Sequence, residues 1–543
     1  METSSEYDFL IVGSGFGGSV AALRLAEKGY RVAVLEAGKR YTAVDFPKTN
    51  WNVRKFLWAP ALRCFGIMRL TPLPDVLVGS GVGVGGGSLV FANTLPVPRH
   101  DVFERPDWPR GQDWAQALAP HYATAKRMLG ATLNPRLTKA DRILKECADE
   151  IGKGDTFTPT QVSVFFGEPG KTVPDPYFGG DGPDRAGCIF CGGCMVGCRH
   201  NAKNTLDKNY LYFAEKLGVD IFPETRVDRI EALQAGGYRL TSHRSTGLFN
   251  GYRKQWRAPN VVLAAGVLGT LDLLLEARDS GHLTGLSPAL GKRVRTNSET
   301  IVAATARGGD ADYTEGVAIT SSIFPDAVTH IEPVRYPRGS DVIGFLAKPI
   351  TDGGPGVPRP LRFVATCVAH PLDFARSLIP IGWARKTILL LVMQVSDNHL
   401  QLVRRRSRVR PWRKVLTSAP SESREKRNQS YIPIANEMAR KVARKIGGWP
   451  ASSINEVLFD IPTTAHILGG APIGSDPETA VCDAENRVFG QPGLYVVDGA
   501  AIPVNLGVNP SLTITALAEH ALSKVPAKGE AYSRIEHAAG NRP

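Results

Sequence analysis

Apolar positions along this chain follow two rhythms, short uninterrupted runs and helical spacings, and their order predicts an α/β protein. Phe9 to Val12 form a four-residue apolar run, the length of a buried parallel strand. Ala21, Leu23 and Leu25 belong to a helix that ends near Gly29, and Val32 to Leu35 repeat the short run, with Glu36 at its end. Between strand and helix lie Gly13, Gly15 and Gly18 in the pattern G-x-G-x-x-G. Strand, glycine turn, helix, strand and acid stand in the order of a dinucleotide-binding βαβ unit. Gly13 permits the tight turn, Gly15 lets a pyrophosphate approach the backbone, and Gly18 lets the helix lie against the strand. The helix N-terminus offers unpaired N–H groups to the phosphates, and Glu36 can accept both ribose hydroxyls.

The same rhythm returns twice. Asn260 to Gly266 is a buried strand ending in glycine, followed by a helix from Leu268 to Ala277, which adds a third parallel strand. Leu494 to Val497 is another strand, ending at Asp498-Gly499, and the loop Ile502 to Asn509 leads into a helix from Ser511 to Leu522. Residues 106–150 read as helical, with Trp114, Leu118, Tyr122 and Met128 at helical spacing, and Asn204 to Leu217 reads as a further helix. From Val219 to Gln255 short strands with turns at Ala235-Gly237 and Ser245-Gly247 predict an added antiparallel layer, and residues 300–455 alternate strands with helices.

Length and composition narrow the class. At 543 residues the chain calls for two domains. No apolar run nears membrane-spanning length; the longest is Ile388 to Met393. With the first strand beginning within ten residues of Met1 and no twin-arginine leader before it, the expected location is cytoplasmic. The net charge of +13 comes without a nucleic-acid motif, so it points to an anionic surface rather than to nucleic acid.

A second glycine-rich stretch, Gly79 to Ser88, runs into Leu89, Val90 and Phe91 as a loop entering a core does, which suits a backbone cradle beside a flat cofactor. Taken with Gly13–Gly18 and Glu36, Ala265-Gly266, His466-Ile-Leu-Gly-Gly470 and the segment from Asp498 to Glu519, it makes the chain resemble the glucose–methanol–choline (GMC) flavoprotein oxidoreductases, most of all their bacterial cholesterol-oxidising members. The resemblance implies FAD, a Rossmann-type FAD-binding domain interleaved with an α+β substrate domain, and a large apolar alcohol such as a sterol. The expected FAD-binding segments are 5–44, 206–300 and 485–525; 45–205 and 301–484 form the substrate domain. The expected cofactor contacts are Gly13, Gly15, Phe16, Gly17, Gly18, Glu36, Gly81, Gly83, Gly86, Gly87, Ser88, Val227, Ala265, Gly266, Asp498, Gly499, Asn509 and Pro510. The Gly81–Ser88 loop holds no histidine, so FAD is expected to be non-covalent.

Alcohol oxidation by a flavin moves a hydride from the carbinol carbon, and the hydroxyl proton must leave as well. His466, among residues that let a substrate approach, suits the base. Asn509, in Asn-Pro-Ser before a helix, can cap that helix and donate to the substrate oxygen or the flavin edge; the helix directs its positive end to the same place. Glu332, in I-E-P-V-R-Y-P-R-G339, resembles by its acid-to-glycine spacing the segment carrying the active-site glutamate of cholesterol oxidases, which assists proton movement including steroid double-bond isomerisation; the alternative is a surface acid paired with Arg335 or Arg338.

Two stretches depart from that pattern. Cys188, Cys191, Cys194 and Cys198 have the spacing of a ferredoxin run without its proline, Arg199 standing there instead. Three readings stay open: an iron–sulfur cluster that passes electrons from FAD to a carrier, a structural zinc, or free or redox-active thiols, with oxygen as acceptor where no metal is held. Residues 361–416 mix Phe363, Phe374, Leu378, Ile379, Trp383, Leu389 and Trp412 with Arg362, Arg376, Arg385, Lys386, Arg404, Arg405, Arg406, Arg408, Arg410, Arg413 and Lys414. That mixture suits either a peripheral membrane surface or an ordinary lid with a solvated charged face. A dehydrogenase acting on another alcohol or a sugar is the second functional reading; non-redox use of the fold and a binding-only protein fit the intact His466–Asn509 pair less well.

Overall fold

The computed structural model describes residues 7–247, 253–407 and 411–530. In chain order its main elements are β1 (Phe9–Val12), α1 (Phe16–Glu27), β2 (Val32–Leu35), β3 (Met68–Leu73), β4 (Val76–Gly81) and β5 (Asp220–Phe222). After them come β6 (Asn260–Leu263), α2 (Gly266–Ser280), β7 (Thr300–Ala306), β8 (Thr329–Val334), β9 (Ala347–Pro349), α3 (Arg359–Ala369) and α4 (Pro371–Ser377). The last are β10 (Thr387–Gln394), β11 (Gly448–Ser453), β12 (Leu494–Val496) and α5 (Ser511–Ser523).

One sheet is parallel throughout, in the order β5–β2–β1–β6–β12. It draws strands from three distant parts of the chain. Every residue of β1 and β2 is buried, which is why both read as unbroken apolar runs rather than alternations. Gly13 makes the turn with φ 99°, where a side chain would also strike the carbonyl of Ala264. A methyl group at Gly18 would overlap the carbonyl oxygen of Gly13, so the helix can lie on its strand only with glycine there.

Three local expectations change. Residues 106–150 divide into helices Trp114–Met128 and Lys139–Glu150 around a short strand, Ala131–Leu133. Gly130, at φ 59°, breaks the first helix. The expected helix over Asn204–Leu217 contracts to Tyr210–Lys216. Within Val219–Gln255 the first strand, β5, joins the parallel sheet at its edge, where the Glu36 amide donates to the Phe222 carbonyl. The antiparallel layer is formed by Thr225–Ala232, Tyr238–Arg244 and Arg253–Ala258.

The second large sheet is antiparallel, in the order β8–β10–β7–β11–β9. Its Val302, Ile331, Leu390 and Val392 pack under the helix Pro433–Lys445 through Met438, Ala439 and Val442. The β3–β4 hairpin carries the short strand Thr463–Thr464 beside β4, and His466 follows directly.

The 361–416 stretch does not form one surface. Phe363, Trp383 and Ala384 are buried, and β10 lies inside the antiparallel sheet. Leu361, Val364, Val368, Leu372, Leu378, Ile379 and Ile381 face outward from α3, α4 and the segment after them, and Trp412 and Val415 face outward from the arginine-rich part. The arginine-rich part lies elsewhere: Arg404 pairs with Asp272 and Lys414 with Asp279, both on α2. Arg408 and Arg410 lie outside the described residues. Among the described residues no helix is long and apolar enough to cross a membrane.

Candidate active site

A cavity of about 1410 Å³ runs from the glycine turn after β1 to the face of the antiparallel sheet. Gly13, Gly15, Phe16, Gly17, Glu36, Gly81, Gly86, Gly87, Val227, Ala265, Gly266, Asp498, Gly499, Asn509 and Pro510 all line it. Gly15 is the informative position. A Cβ there would meet no protein atom within 4 Å, so it would stand in the cavity itself. By contrast a Cβ at Gly17 would overlap the Val497 carbonyl, and one at Gly86 would meet the Gly15 Cα. The two glycine loops therefore touch each other and leave an open backbone cradle at the N-terminus of α1, which fits the pyrophosphate of FAD.

Three expected contacts serve this cradle from behind instead. Gly18 is spent on the packing of α1 against the turn. Gly83, at φ 136°, lies under Tyr41 and Leu89, where a side chain has no room. The Ser88 hydroxyl is turned inward, donating to Gly85 O at 2.6 Å and accepting from Leu206 N at 3.1 Å.

Glu36 is also more heavily used than its position suggests. Its Oε2 accepts from Ser14 N at 3.0 Å and Ser14 Oγ at 2.7 Å, and its Oε1 from Gly38 N at 2.7 Å and Gly83 N at 3.3 Å. That fills the roughly four acceptor positions of a carboxylate. Ser14 Oγ also lies 3.3 Å from Gly83 O, so it can turn there and release one position to a ribose hydroxyl. Asp498, held by Thr270 and by Ala500 N at 2.9 Å, is pushed up to about 6 by burial.

His466 and Asn509 meet at the far end of the cradle, with Glu299 beside them. Glu299 Oε2 accepts from His466 Nδ1 at 2.9 Å, from Thr464 Oγ1 at 3.0 Å and from Ala465 N at 3.2 Å. This fixes the imidazole and leaves Nε2 as the nitrogen free to act. Burial alone would depress the His466 pKa, but the charge and hydrogen bond of Glu299 hold it above the ordinary range, and Glu332 adds to this only at a pH where it is itself ionised. Glu299 escaped the reading of the sequence because nothing around it is periodic or motif-like. The turn before it carries the one visible signal: Asn297 and Ser298 both have positive φ, 58° and 47°. That turn is clamped to the loop before Asn509, through Asn297 Nδ2 to Val508 O at 2.9 Å and Gly507 N to Asn297 Oδ1 at 2.9 Å. One clamp thus positions both Glu299 and Asn509.

Glu332 is fully buried on β8, not a surface acid. It does not open onto the cavity but stands behind Asn509 and Thr94. Both of its oxygens, Thr94 Oγ1, Asn509 Oδ1 and Glu299 Oε1 are buried without a hydrogen-bond partner. Burial pushes the Glu332 carboxyl up to about 8, so it carries its proton at neutral pH. Beyond this polar cluster the walls are apolar, from Phe56, Trp58, Met68, Met195, Tyr336, Ile343, Trp383, Leu389 and Leu391.

The cysteine run does not converge. Cys188 is buried, Cys191 exposed, and Cys194 and Cys198 half-buried; all are free thiols. Among the described residues no three His, Cys, Asp or Glu side chains are placed to hold a metal ion. The donor set as arranged fits neither a cluster nor zinc. Its spacing is that of a ligand run, and Cys188, Cys194 and Cys198 pack together with Val162, Val164, Phe166 and Phe190. Burial, with smaller contributions from the neighbouring cysteines of the run, pushes the Cys188 thiol up to about 12 and Cys194 up to about 11.

Comparison with known proteins agrees with this geometry. Residues 182–294 and 388–518 match two family models, each described as GMC oxidoreductase, and residues 11–43 match a model described as an NAD(P)-binding Rossmann-like domain. The chain is 52% identical to a cholesterol oxidase of Mycobacterium tuberculosis (strain ATCC 25618 / H37Rv), covering 97% of this chain and 92% of that protein. It is 47% identical to a cholesterol oxidase of Acinetobacter baumannii, covering 96% and 95%. The crystal structure of pyridoxine 4-oxidase from Mesorbium loti superposes with a TM-score of 0.63 at 16% identity, covering 95% of this chain and 99% of that one, which shows a shared fold. The chain belongs to the GMC oxidoreductase family.

Proposed function

We propose that this protein oxidises the secondary hydroxyl of a sterol, or of a similarly large apolar alcohol, using non-covalent FAD and passing the electrons to oxygen. The observation that carries this reading is the His466–Glu299 pair beside Asn509, at the junction of a dinucleotide cradle and an apolar lobe. The identity to proteins named cholesterol oxidase supports the choice of substrate. FAD, when bound, supplies the acceptor for the hydride of the carbinol carbon. His466 Nε2 takes the hydroxyl proton, and Glu299 stabilises the imidazolium that results. Asn509 directs its amide N–H to the substrate oxygen. Protonated Glu332 donates its O–H to the otherwise unpartnered Asn509 Oδ1, which fixes that orientation. Trp383, Tyr336 and their neighbours bury the apolar body and exclude water.

The outward apolar residues of α3 and α4 support docking on a lipid surface, from which an apolar alcohol would reach the lobe past Trp383; Arg385 and Lys386 flank them. The test is anaerobic addition of a 3-hydroxysterol to the yellow holoprotein, followed by air. Bleaching and then recolouring is the expected result. A flavin that no sterol bleaches overturns the substrate, and one that bleaches but stays reduced in air overturns oxygen as the acceptor.

A further inference from the structure

Among the described residues, Arg69 is a cation of the cavity wall without an anionic partner. On β3, Arg69 stands opposite Ser80 of β4, while Met68 belongs to the apolar cluster of Phe56, Tyr336 and Trp383. Strand alternation therefore turns Arg69 away from the apolar lobe, and the charges that act on it are Arg226 and Glu36, both in the cofactor part of the wall. Among the described residues its guanidinium has no hydrogen bond, ion pair or ring contact. Glu36 acts on it only at a distance: its carboxylate accepts from Ser14, Gly38 and Gly83 and makes no hydrogen bond or ion pair with Arg69. Arg226 adds a like charge, and its own nearest carboxylate, Asp228, is 3.8 Å away. Burial lowers the Arg69 pKa to about 10, so it remains charged at neutral pH without its full hydration. A desolvated, unpaired guanidinium is costly, and its fork of donors matches phosphate oxygens.

We propose that Arg69, backed by Arg226, is a phosphate clamp for the ADP half of the dinucleotide and completes the anion site begun by the N-terminus of α1. This rests on the FAD reading, which the visible spectrum of the unaltered protein tests separately. Arg69 was not among the residues the sequence pointed to, since it falls in no motif.

The experiment follows FAD release from the holoprotein, read as the rise in free-flavin fluorescence after dilution into increasing KCl. Arg69→Gln is expected to release FAD about 10- to 100-fold faster at low salt, the range for losing a charge-assisted pair of hydrogen bonds. Its release should also depend less on salt than that of the unaltered protein, because the screened interaction is gone. Arg69→Lys, which keeps the charge, should fall between them and keep the salt dependence. Arg69→Gln purified without flavin but with unaltered circular dichroism, while Arg69→Lys retains flavin, supports the same conclusion. A release rate and salt dependence of Arg69→Gln equal to the unaltered protein overturn the clamp. So does equal loss of FAD in both variants.

Discussion

Replacing Glu299 by glutamine isolates the charge on the histidine from its hydrogen bonds. The glutamine carbonyl can take the place of Oε2 and accept from His466, Thr464 and Ala465, while its amide occupies the place of Oε1, which has no partner to lose. The negative charge 2.9 Å from Nδ1 disappears. At an effective dielectric of about 20, Coulomb's law sets a ceiling of about 6 kcal/mol for that contact. Hydrogen bonds to charged groups contribute about 1.5–3 kcal/mol, and sharing of Oε2 among three donors favours the lower part of that range. At about 1.4 kcal/mol per pKa unit, the His466 pKa should drop by about one to two units. His466 acts as a base only when neutral, so the acid limb of kcat/KM lies at its pKa and should move to lower pH by that amount. The imidazolium formed in the reaction also loses its counter-charge, so flavin reduction at the plateau should slow by about 10- to 100-fold. Anaerobic stopped-flow between pH 5 and 10 measures both. An acid limb that stays within about 0.3 units, with an unchanged plateau, refutes the reasoning and leaves Glu299 a purely structural role.

His466→Ala should lower turnover by about 100- to 10,000-fold with the flavin spectrum intact; near-normal turnover would place the base elsewhere. Gly15→Ala should yield folded protein without FAD, since the added methyl group clashes with no protein atom and projects into the cradle; a full flavin complement would contradict the pyrophosphate site. Glu332→Gln keeps a donor for Asn509 but cannot ionise, so the alkaline limb of flavin reduction near the Glu332 pKa of about 8 should vanish in this variant. The same raised pKa means that ionisation opposes folding: the contribution of protonated Glu332 is present at low pH and lost as pH rises towards about 8. The melting temperature of the unaltered protein should accordingly fall relative to Glu332→Gln between pH 5 and 9, and parallel curves would refute it.

The cofactor half of this protein was legible in its sequence because it depends on local rules. The turn at Gly13, the close packing at Gly18 and the open cradle at Gly15 each follow from the lack of a side chain at one position in a contiguous strand–turn–helix unit. His466 and Asn509 were likewise marked by the glycine, proline and helix-start residues beside them. What only the tertiary structure decided are meetings between distant segments. Glu299 lies 167 residues before His466 and reaches it through a left-handed turn clamped to the loop before Asn509. Glu332 reads as an acid among arginines, yet β8 carries it into the interior, where burial keeps it protonated. The cysteine spacing is a property of eleven residues, whereas holding a metal requires four sulfurs to turn to one point, and among the described residues no such arrangement of His, Cys, Asp or Glu side chains is present. Arg69 shows its unmet charge only once β3 faces it into a cavity where Glu36, which accepts from backbone and serine donors, makes no contact with it. Short-range conformational preference is written residue by residue; which charges are left without partners depends on how the whole chain closes around them.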